Sequence, residues 1–220
     1  MAEIEMGQNL KTLNNTIAKQ NRSGFQEHHI FVLNIMGSPG SGKTTLLENI
    51  LPVLAEKLRI FVIEGDLATQ NDAERIRKTG VNAVQINTNG ACHLDARMIQ
   101  TEINRLDLNS IDLLIIENVG NLVCPISYDL GEDLRMVILS TPEGEDKPLK
   151  YPSAMLHTDA VVLTKTDLAQ YVDVKIDTMK TYIHQVNPKA LILEVGKFDG
   201  AFAVNEVISY LLEKIAAWKG

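Results

Sequence analysis

The sequence predicts an α/β fold of three layers, with a mostly parallel central sheet and helices on both faces. Three observations predict it. An apolar, β-prone run from Ile30 to Met36 leads into a glycine-rich turn, and a helical stretch follows at once. Strand-like apolar runs then alternate with helical patterns through the rest of the chain. Several of those runs are unbroken Val, Ile and Leu, such as Leu113-Leu114-Ile115-Ile116, which suits strands buried on both faces of a parallel sheet.

In chain order, Leu10, Leu13 and Ile17 stand at helical spacing and predict an amphipathic helix over about 7–26. That helix, within residues 1–28, is expected to pack on a single domain spanning 29–220. His28 and His29 are expected to mark a solvated approach to the first strand. Strands are expected near 30–36, 59–64, 82–87, 112–117, 135–140, 160–164 and 190–195. Helices are expected near 44–57, 71–79, 92–106, 173–186 and 201–218. Residues 141–151 are charged and hold Pro142 and Pro148, so a mobile surface loop is expected there. In such a fold the ligand chemistry lies at the carboxyl ends of the strands.

Composition narrows the function classes. At 220 residues and 45% hydrophobic content the chain can bury a sizeable core. A net charge of −7 and a pI near 5.3 argue against bulk nucleic-acid binding. No apolar run approaches the ~20 residues of a membrane span, and Met1-Ala2-Glu3-Ile4-Glu5 does not resemble a secretory leader. Cys92 and Cys124 do not make a disulfide scaffold, and a reduced, cytoplasmic setting is expected.

The turn after the first strand is Gly37-Ser38-Pro39-Gly40-Ser41-Gly42-Lys43-Thr44-Thr45, a phosphate loop between strand and helix. Such a loop identifies the phosphate-loop NTPase version of the fold. Gly37, Gly40 and Gly42 let the backbone close around a phosphate, and the N–H groups and helix dipole favour negative charge. Lys43 would reach the β- and γ-phosphates and Thr44 would ligate Mg²⁺. Asp66, at the tip of the second strand, is a candidate Mg²⁺ ligand, with a turn or helix-capping aspartate as the alternative. The fourth strand ends Glu117-Asn118-Val119-Gly120. Glu117 could position Mg²⁺-bound water or the attacking water, and Gly120 could offer its N–H to the γ-phosphate. No arginine finger is evident from the sequence, so slow intrinsic turnover is expected.

The sixth strand ends Thr164-Lys165-Thr166-Asp167, similar to the Asn-Lys-x-Asp element by which GTPases read guanine. A carboxylate at Asp167 can accept hydrogen bonds from guanine N1–H and the exocyclic amine, donors that adenine lacks on that edge. Lys165 would lie along the base. Thr164 replaces the usual Asn and can form fewer hydrogen bonds to the phosphate loop, so a weaker tie is expected. Gly196-Lys197 stands where a second base-contacting loop is expected. Thiolate and imidazole make Cys92, His93 and Cys124 candidate ligands for Ni²⁺ or Zn²⁺, against the alternative of buried structural cysteine. Three ligands per chain leave a four-coordinate site incomplete, so a metal here implies two chains or a bound water. Cys124 lies four residues after Gly120, within about 14 Å of extended chain. A loop that moves on γ-phosphate loss would carry that ligand with it.

Taken together, the phosphate loop, Glu64-Gly65-Asp66, Asp72-Ala73-Glu74-Arg75, Cys92-His93-Leu94-Asp95, Glu117 to Pro125 and Thr164 to Asp167 resemble the nickel-incorporation GTPases of [NiFe]-hydrogenase maturation. The resemblance runs from about residue 29 to 215. The related urease accessory GTPases carry a Cys-Pro-His motif that this chain lacks. The resemblance implies GTP with Mg²⁺ and a homodimer formed with GTP. It also implies a Ni²⁺/Zn²⁺ site at the dimer interface from Cys92, His93 and Cys124 of each subunit. A small zinc-containing nickel chaperone and the hydrogenase large-subunit precursor are the implied partners. Lys150 matches a lysine that reaches the neighbouring subunit's nucleotide, with a loop lysine as the alternative, and Asp72 matches a switch acid. Three other readings stay open: a phosphate-loop small-molecule kinase, a metal store without turnover, and a GTPase serving another nickel enzyme such as urease.

Overall fold

The computed structural model describes residues 2–66 and 71–219. Seven parallel strands form the central sheet: β1 (Phe31–Gly37), β2 (Ile60–Asp66), β3 (Asn82–Asn87), β4 (Leu113–Glu117), β5 (Leu134–Ser140), β6 (Ala160–Thr164) and β7 (Leu191–Val195). Their order is β3-β2-β4-β1-β5-β6-β7, so β1 lies inside the sheet between β4 and β5. All seven lie where the apolar runs predict them. The register places Glu64 of β2 opposite Glu117 of β4, and Gly37 of β1 opposite Ile138 of β5.

Alternation along the strands builds the two outer layers. Leu33 and Ile35 of β1 face a core shared with α2 (Lys43–Ala55) and α8 (Asn205–Lys219), through Leu47, Ile50, Leu51 and Leu211. Val32 and Met36 face the other way. On that side Ile99 and Ile103 of α4 (Ala96–Ile103) and Phe25 of α1 (Ala2–Glu27) cover one half of the sheet. Met179 and Ile183 of α7 (Ile176–Val186) cover the other half. α3 (Asn71–Arg77) connects β2 to β3 and buries Ile76 on the α2 side.

Several expectations shift. The buried face of α1 is Asn14, Ala18, Asn21 and Phe25, whereas Leu10 and Leu13 are exposed. Polar groups decide this: Asn14 Oδ1 accepts Ala96 N–H at 2.9 Å, and Asn21 Nδ2 donates to Ala96 O at 2.9 Å. Hydrophobic spacing could not reveal a helix docked by asparagines. α1 ends at Glu27, the turn after it holds His29 in a left-handed conformation at φ 56°, and His28 Nδ1 contacts Gly24 O at 2.9 Å.

α4 begins at Ala96 rather than near 92, because Asp95 caps it by accepting Met98 N–H at 2.8 Å. α7 begins at Ile176 rather than near 173. The stretch expected to open the last helix at 201 instead holds a hairpin, β8 (Lys197–Phe198) and β9 (Ala201–Phe202). Its turn is Asp199-Gly200, both at positive φ (50° and 85°), and that dipeptide is a hairpin signal. The 141–151 stretch is not an extended surface loop. A 3₁₀ turn follows a Ser140–Glu143 capping box, and short helices α5 (Lys147–Lys150) and α6 (Pro152–Leu156) follow it. Thr141 Oγ1 donates to Lys165 O at 2.6 Å and fixes this segment to the loop after β6.

Candidate functional site

The carboxyl ends of β1, β2 and β4 enclose a cavity of about 400 Å³ lined by Gly40, Gly42, Lys43, Thr44, Glu117 and Gly120, among others. Gly40 and Gly42 adopt φ of 73° and 97°, the left-handed region a side chain disfavours. Gly37 is needed for a different reason than the sequence suggests. A Cβ there would lie 2.6 Å from Ile138 O and from Ser41 Oγ. Ser41 N–H donates to Ser38 O at 3.1 Å and closes the turn. Lys43 is folded back, with Nζ 3.4 Å from the carbonyls of Gly37 and Ser38 and 4.0 Å from Glu117 Oε1. Gly120 packs on Pro39: a Cβ there would meet the proline ring at 3.0 Å.

Thr44 Oγ1 donates to Glu117 Oε1 at 2.9 Å, which brings the loop hydroxyl and the β4 acid together. The parallel register adds Glu64, which the sequence reading passed over in favour of Asp66. Its signal was an acid inside an otherwise apolar strand. Glu64 and Glu117 are almost fully buried, and Glu64 Oε1 and Glu117 Oε2 have no protein partner. Burial, then the Glu117 charge, pushes the Glu64 carboxyl up to about 10. Burial raises Glu117 as well, against the pull of nearby Lys43. Two neighbouring buried carboxyls of this kind share a proton or take a cation. The orphaned oxygens of Glu64 and Glu117, beside the Thr44 hydroxyl, therefore fit Mg²⁺ completed by phosphate and water, while Asp66 stands elsewhere on the cavity wall. Asp72 also lines the cavity, where its Oδ1 accepts from Arg75 Nη1 at 3.1 Å.

A second cavity, of about 220 Å³, shares Gly42, Thr45 and Lys165 with the first and adds Asp167, Lys197 and Phe202. Lys165 is left-handed at φ 57°, and its Nζ donates to Gly40 O at 2.7 Å. Thr164 Oγ1 donates to Ser41 O at 2.5 Å, so Thr164 does tie the base loop to the phosphate loop through a main-chain acceptor. Asp167 Oδ1 accepts Lys197 N–H at 3.0 Å. Gly196 makes that approach possible, since a Cβ there would lie 2.5 Å from Thr166 Oγ1. Phe202 and Lys197 reach the cavity from the hairpin that the sequence reading missed.

Of the soft-ligand residues, Cys92 and Cys124 meet. A hydrogen bond in which the Cys92 S–H faces Cys124, followed by burial, raises the Cys92 thiol. Cys92 Sγ lies 3.7 Å from His93 Nδ1. The His93 ring stacks on Tyr128 at 3.8 Å, and burial lowers its pKa. Among the described residues no group of three His, Cys, Asp or Glu side chains is arranged to hold a metal ion, so the three do not close a site within one chain. The thiols are stitched to the nucleotide side. Asn118 Oδ1 accepts Leu94 N–H at 3.2 Å and Val119 N–H at 3.0 Å. Asn121 Nδ2 donates to Cys92 O at 3.5 Å, while Asn121 itself pairs with Gly37 of β1. Leu94 is buried against Gly65, where a Cβ would meet its side chain at 2.8 Å. Lys150 lines neither cavity. Its ammonium is mostly exposed and pairs with Asp146 at 2.7 Å.

This arrangement has counterparts among known proteins. Residues 31–194 match the CobW/HypB/UreG nucleotide-binding domain. The hydrogenase maturation factor HypB of Azotobacter vinelandii is 46% identical over 197 residues, covering 90% of this chain. This chain spans 65% of that relative's length. Two HypB crystal structures superpose closely. That from Archaeoglobus fulgidus has a TM-score of 0.86 at 36% identity, covering 93% of this chain and 99% of its own. That from Helicobacter pylori, in complex with nickel, has a TM-score of 0.87 at 42% identity, covering 93% and 95%. The phosphate loop, the paired acids of β2 and β4, and this extent of match place the chain in the CobW/HypB/UreG nucleotide-binding family.

Proposed function

We propose that the chain is a GTP hydrolase whose nucleotide cycle switches Ni²⁺ binding and drives delivery of nickel to a [NiFe]-hydrogenase large-subunit precursor. The observation that carries this reading is the double connection of the Glu117–Cys124 segment. One end borders the phosphate cavity, the other holds a thiol, and Asn118 and Asn121 bond it to Leu94 and Cys92. The nickel complex known for the Helicobacter pylori relative supports nickel as the cargo.

In this reading the loop N–H groups of Gly40, Gly42, Lys43 and Thr44 and the Lys43 ammonium face the phosphates. They stabilise charge on the transferred phosphoryl group as water displaces GDP. Glu117 accepts from Thr44 and holds its hydroxyl in place. Mg²⁺, when bound, supplies further neutralisation of phosphate charge, and Thr44, Asp66 and the Glu64–Glu117 pair would hold it. Asp167 selects guanine, and Thr164 keeps base loop and phosphate loop in fixed register. Ni²⁺ or Zn²⁺ is held as cargo by Cys92, His93 and Cys124 of two subunits meeting at a twofold axis, where each chain supplies what the other lacks. Lys150, exposed on α5, then reaches the partner's nucleotide. A small zinc-containing chaperone supplies the nickel, and the setting is the cytoplasm.

The deciding experiment measures mass in solution and Ni²⁺ affinity with GDP, with a non-hydrolysable GTP analogue, and with neither. The expected result is a dimer with the analogue and a nickel affinity that follows the nucleotide. GTP turnover should be abolished by Lys43→Ala. Turnover unaltered by Lys43→Ala, or a nickel affinity indifferent to nucleotide, overturns the reading.

A further inference from the structure

Arg75 stands at the wall of the phosphate cavity with four of its five N–H donors engaged by side chains of this chain. Its Nε donates to Glu48 Oε1 at 3.0 Å and its Nη2 to Glu48 Oε2 at 2.6 Å, a fork-to-fork pair between α3 and α2. Nη2 also donates to Thr45 Oγ1 at 3.1 Å, and Nη1 to Asp72 Oδ1 at 3.1 Å. Arg75, Asp72 and Thr45 line the cavity, whereas Glu48 does not. The other cations at that wall are Lys43, within the loop, and Lys165, which donates to Gly40.

Charge makes this arrangement conditional. Two carboxylates and one guanidinium carry a net charge of −1, stable while the cavity holds no anion. A nucleoside triphosphate brings several negative charges beside Asp72. It repels that carboxylate and competes for the guanidinium, and phosphate accepts a planar fork as well as carboxylate does. The Asp72 contact is the weaker hold, a single hydrogen bond between half-exposed groups, so Nη1 is freed first. The Glu48 fork can keep the guanidinium beside the cavity throughout.

We propose that Arg75 is a nucleotide-binding residue held in reserve: Asp72 occupies its Nη1 in the resting chain, and bound guanine nucleotide takes that place with a phosphate oxygen. This rests on the nucleotide-binding reading above. It gives the chain a guanidinium of its own at the phosphates, where the sequence shows no arginine finger.

The test compares Arg75→Gln, Arg75→Lys and Glu48→Gln by their affinity for a non-hydrolysable GTP analogue, with thermal melts to confirm folding. Loss of one charge-assisted phosphate contact predicts at least about a tenfold weaker Kd for Arg75→Gln. Arg75→Lys should recover part of that loss, because it keeps the charge. Glu48→Gln removes the charge of the α2–α3 clamp but leaves the guanidinium and an amide oxygen to hold it beside the cavity, so its affinity should stay within about threefold of the original chain or tighten. If Arg75→Gln binds as the original chain does, or if Glu48→Gln loses as much as Arg75→Gln, Arg75 only fastens α3 to α2 and the proposal falls. Failure of the unaltered chain to bind guanine nucleotide would instead bring down the parent reading, and this one with it.

Discussion

Asn118 accepts the Leu94 N–H at 3.2 Å, which ties the end of β4 to the Cys92–Asp95 segment. Asn118 is almost fully buried, and its Nδ2 donates to Asn34 Oδ1 at 3.4 Å. Asn118→Ala leaves the buried Leu94 N–H unpaired, an expected cost of about 1–3 kcal/mol. The same variant should leave Cys92 and Cys124 in place while uncoupling them from the phosphate side. Nickel titrations with GDP and with a GTP analogue should then give the same affinity. A difference as large as in the unaltered chain would show that coupling runs by another route.

Asp167 accepts Lys197 N–H through Oδ1 and lines the second cavity, where the proposed reading places the base. Asp167→Asn keeps the first bond through its amide oxygen and turns a donor towards the base. Guanine nucleotide affinity should drop on the order of a hundredfold, from two lost charge-assisted hydrogen bonds. Xanthine nucleotide, with an acceptor in place of the exocyclic amine, should gain. Competition titrations with GTP and XTP read the shift, and an unchanged GTP preference contradicts the base-reading role.

Cys92 and Cys124 interact with each other, so in the proposed reading both serve the same ion. Cys92→Ala and Cys124→Ala should each weaken Ni²⁺ or Zn²⁺ binding by at least about tenfold, since a soft thiolate is lost from a short ligand set. GDP affinity should be unaffected, because neither sulfur lines the phosphate or base cavity. Metal stoichiometry beside fluorescent-GDP titration separates the outcomes. Full metal loading in both variants would mean that the thiols are structural.

Glu64 gives a pH signature in the nucleotide- and metal-free chain. Its carboxyl titrates near 4.5 when unfolded and about 10 when folded, chiefly through burial. A raised folded pKa means the native state holds the extra proton. That stabilisation is complete below about 4.5 and is lost as pH rises towards 10. Glu64→Gln, a permanent mimic of the protonated acid, should therefore gain Tm over the original chain progressively from pH 5 to pH 9. A constant difference across that range would show that Glu64 titrates normally.

Local chemistry made much of this protein legible. The seven strands were readable because each is a short, largely apolar, β-prone run, and the central ones β4 and β6 are buried along their whole length. The phosphate loop was readable because its donors are consecutive backbone groups whose geometry depends on three nearby glycines. Asp167 stood out as a candidate because it follows the apolar run of β6 by three residues, in the turn Thr166–Tyr171. The hairpin at Asp199-Gly200 was legible too and was lost under the apolar pattern of the helix that follows.

Partnerships across long stretches of chain belonged to the tertiary structure alone. Strand register sets Glu64 against Glu117. Asparagine hydrogen bonds, invisible to hydrophobic spacing, choose which face of α1 is buried. Helix packing delivers Arg75 to Glu48 and the cavity wall, and a side-chain amide ties Leu94 to Asn118. The sequence by itself determined the strand–loop–helix order around the phosphate loop and offered Asp167, Cys92, His93 and Cys124 as candidates, because each is specified by residue type at short spacing. Which of those groups touch, and which are left buried and unsatisfied, follows from folding distant segments together, where register and burial rather than propensity decide the outcome.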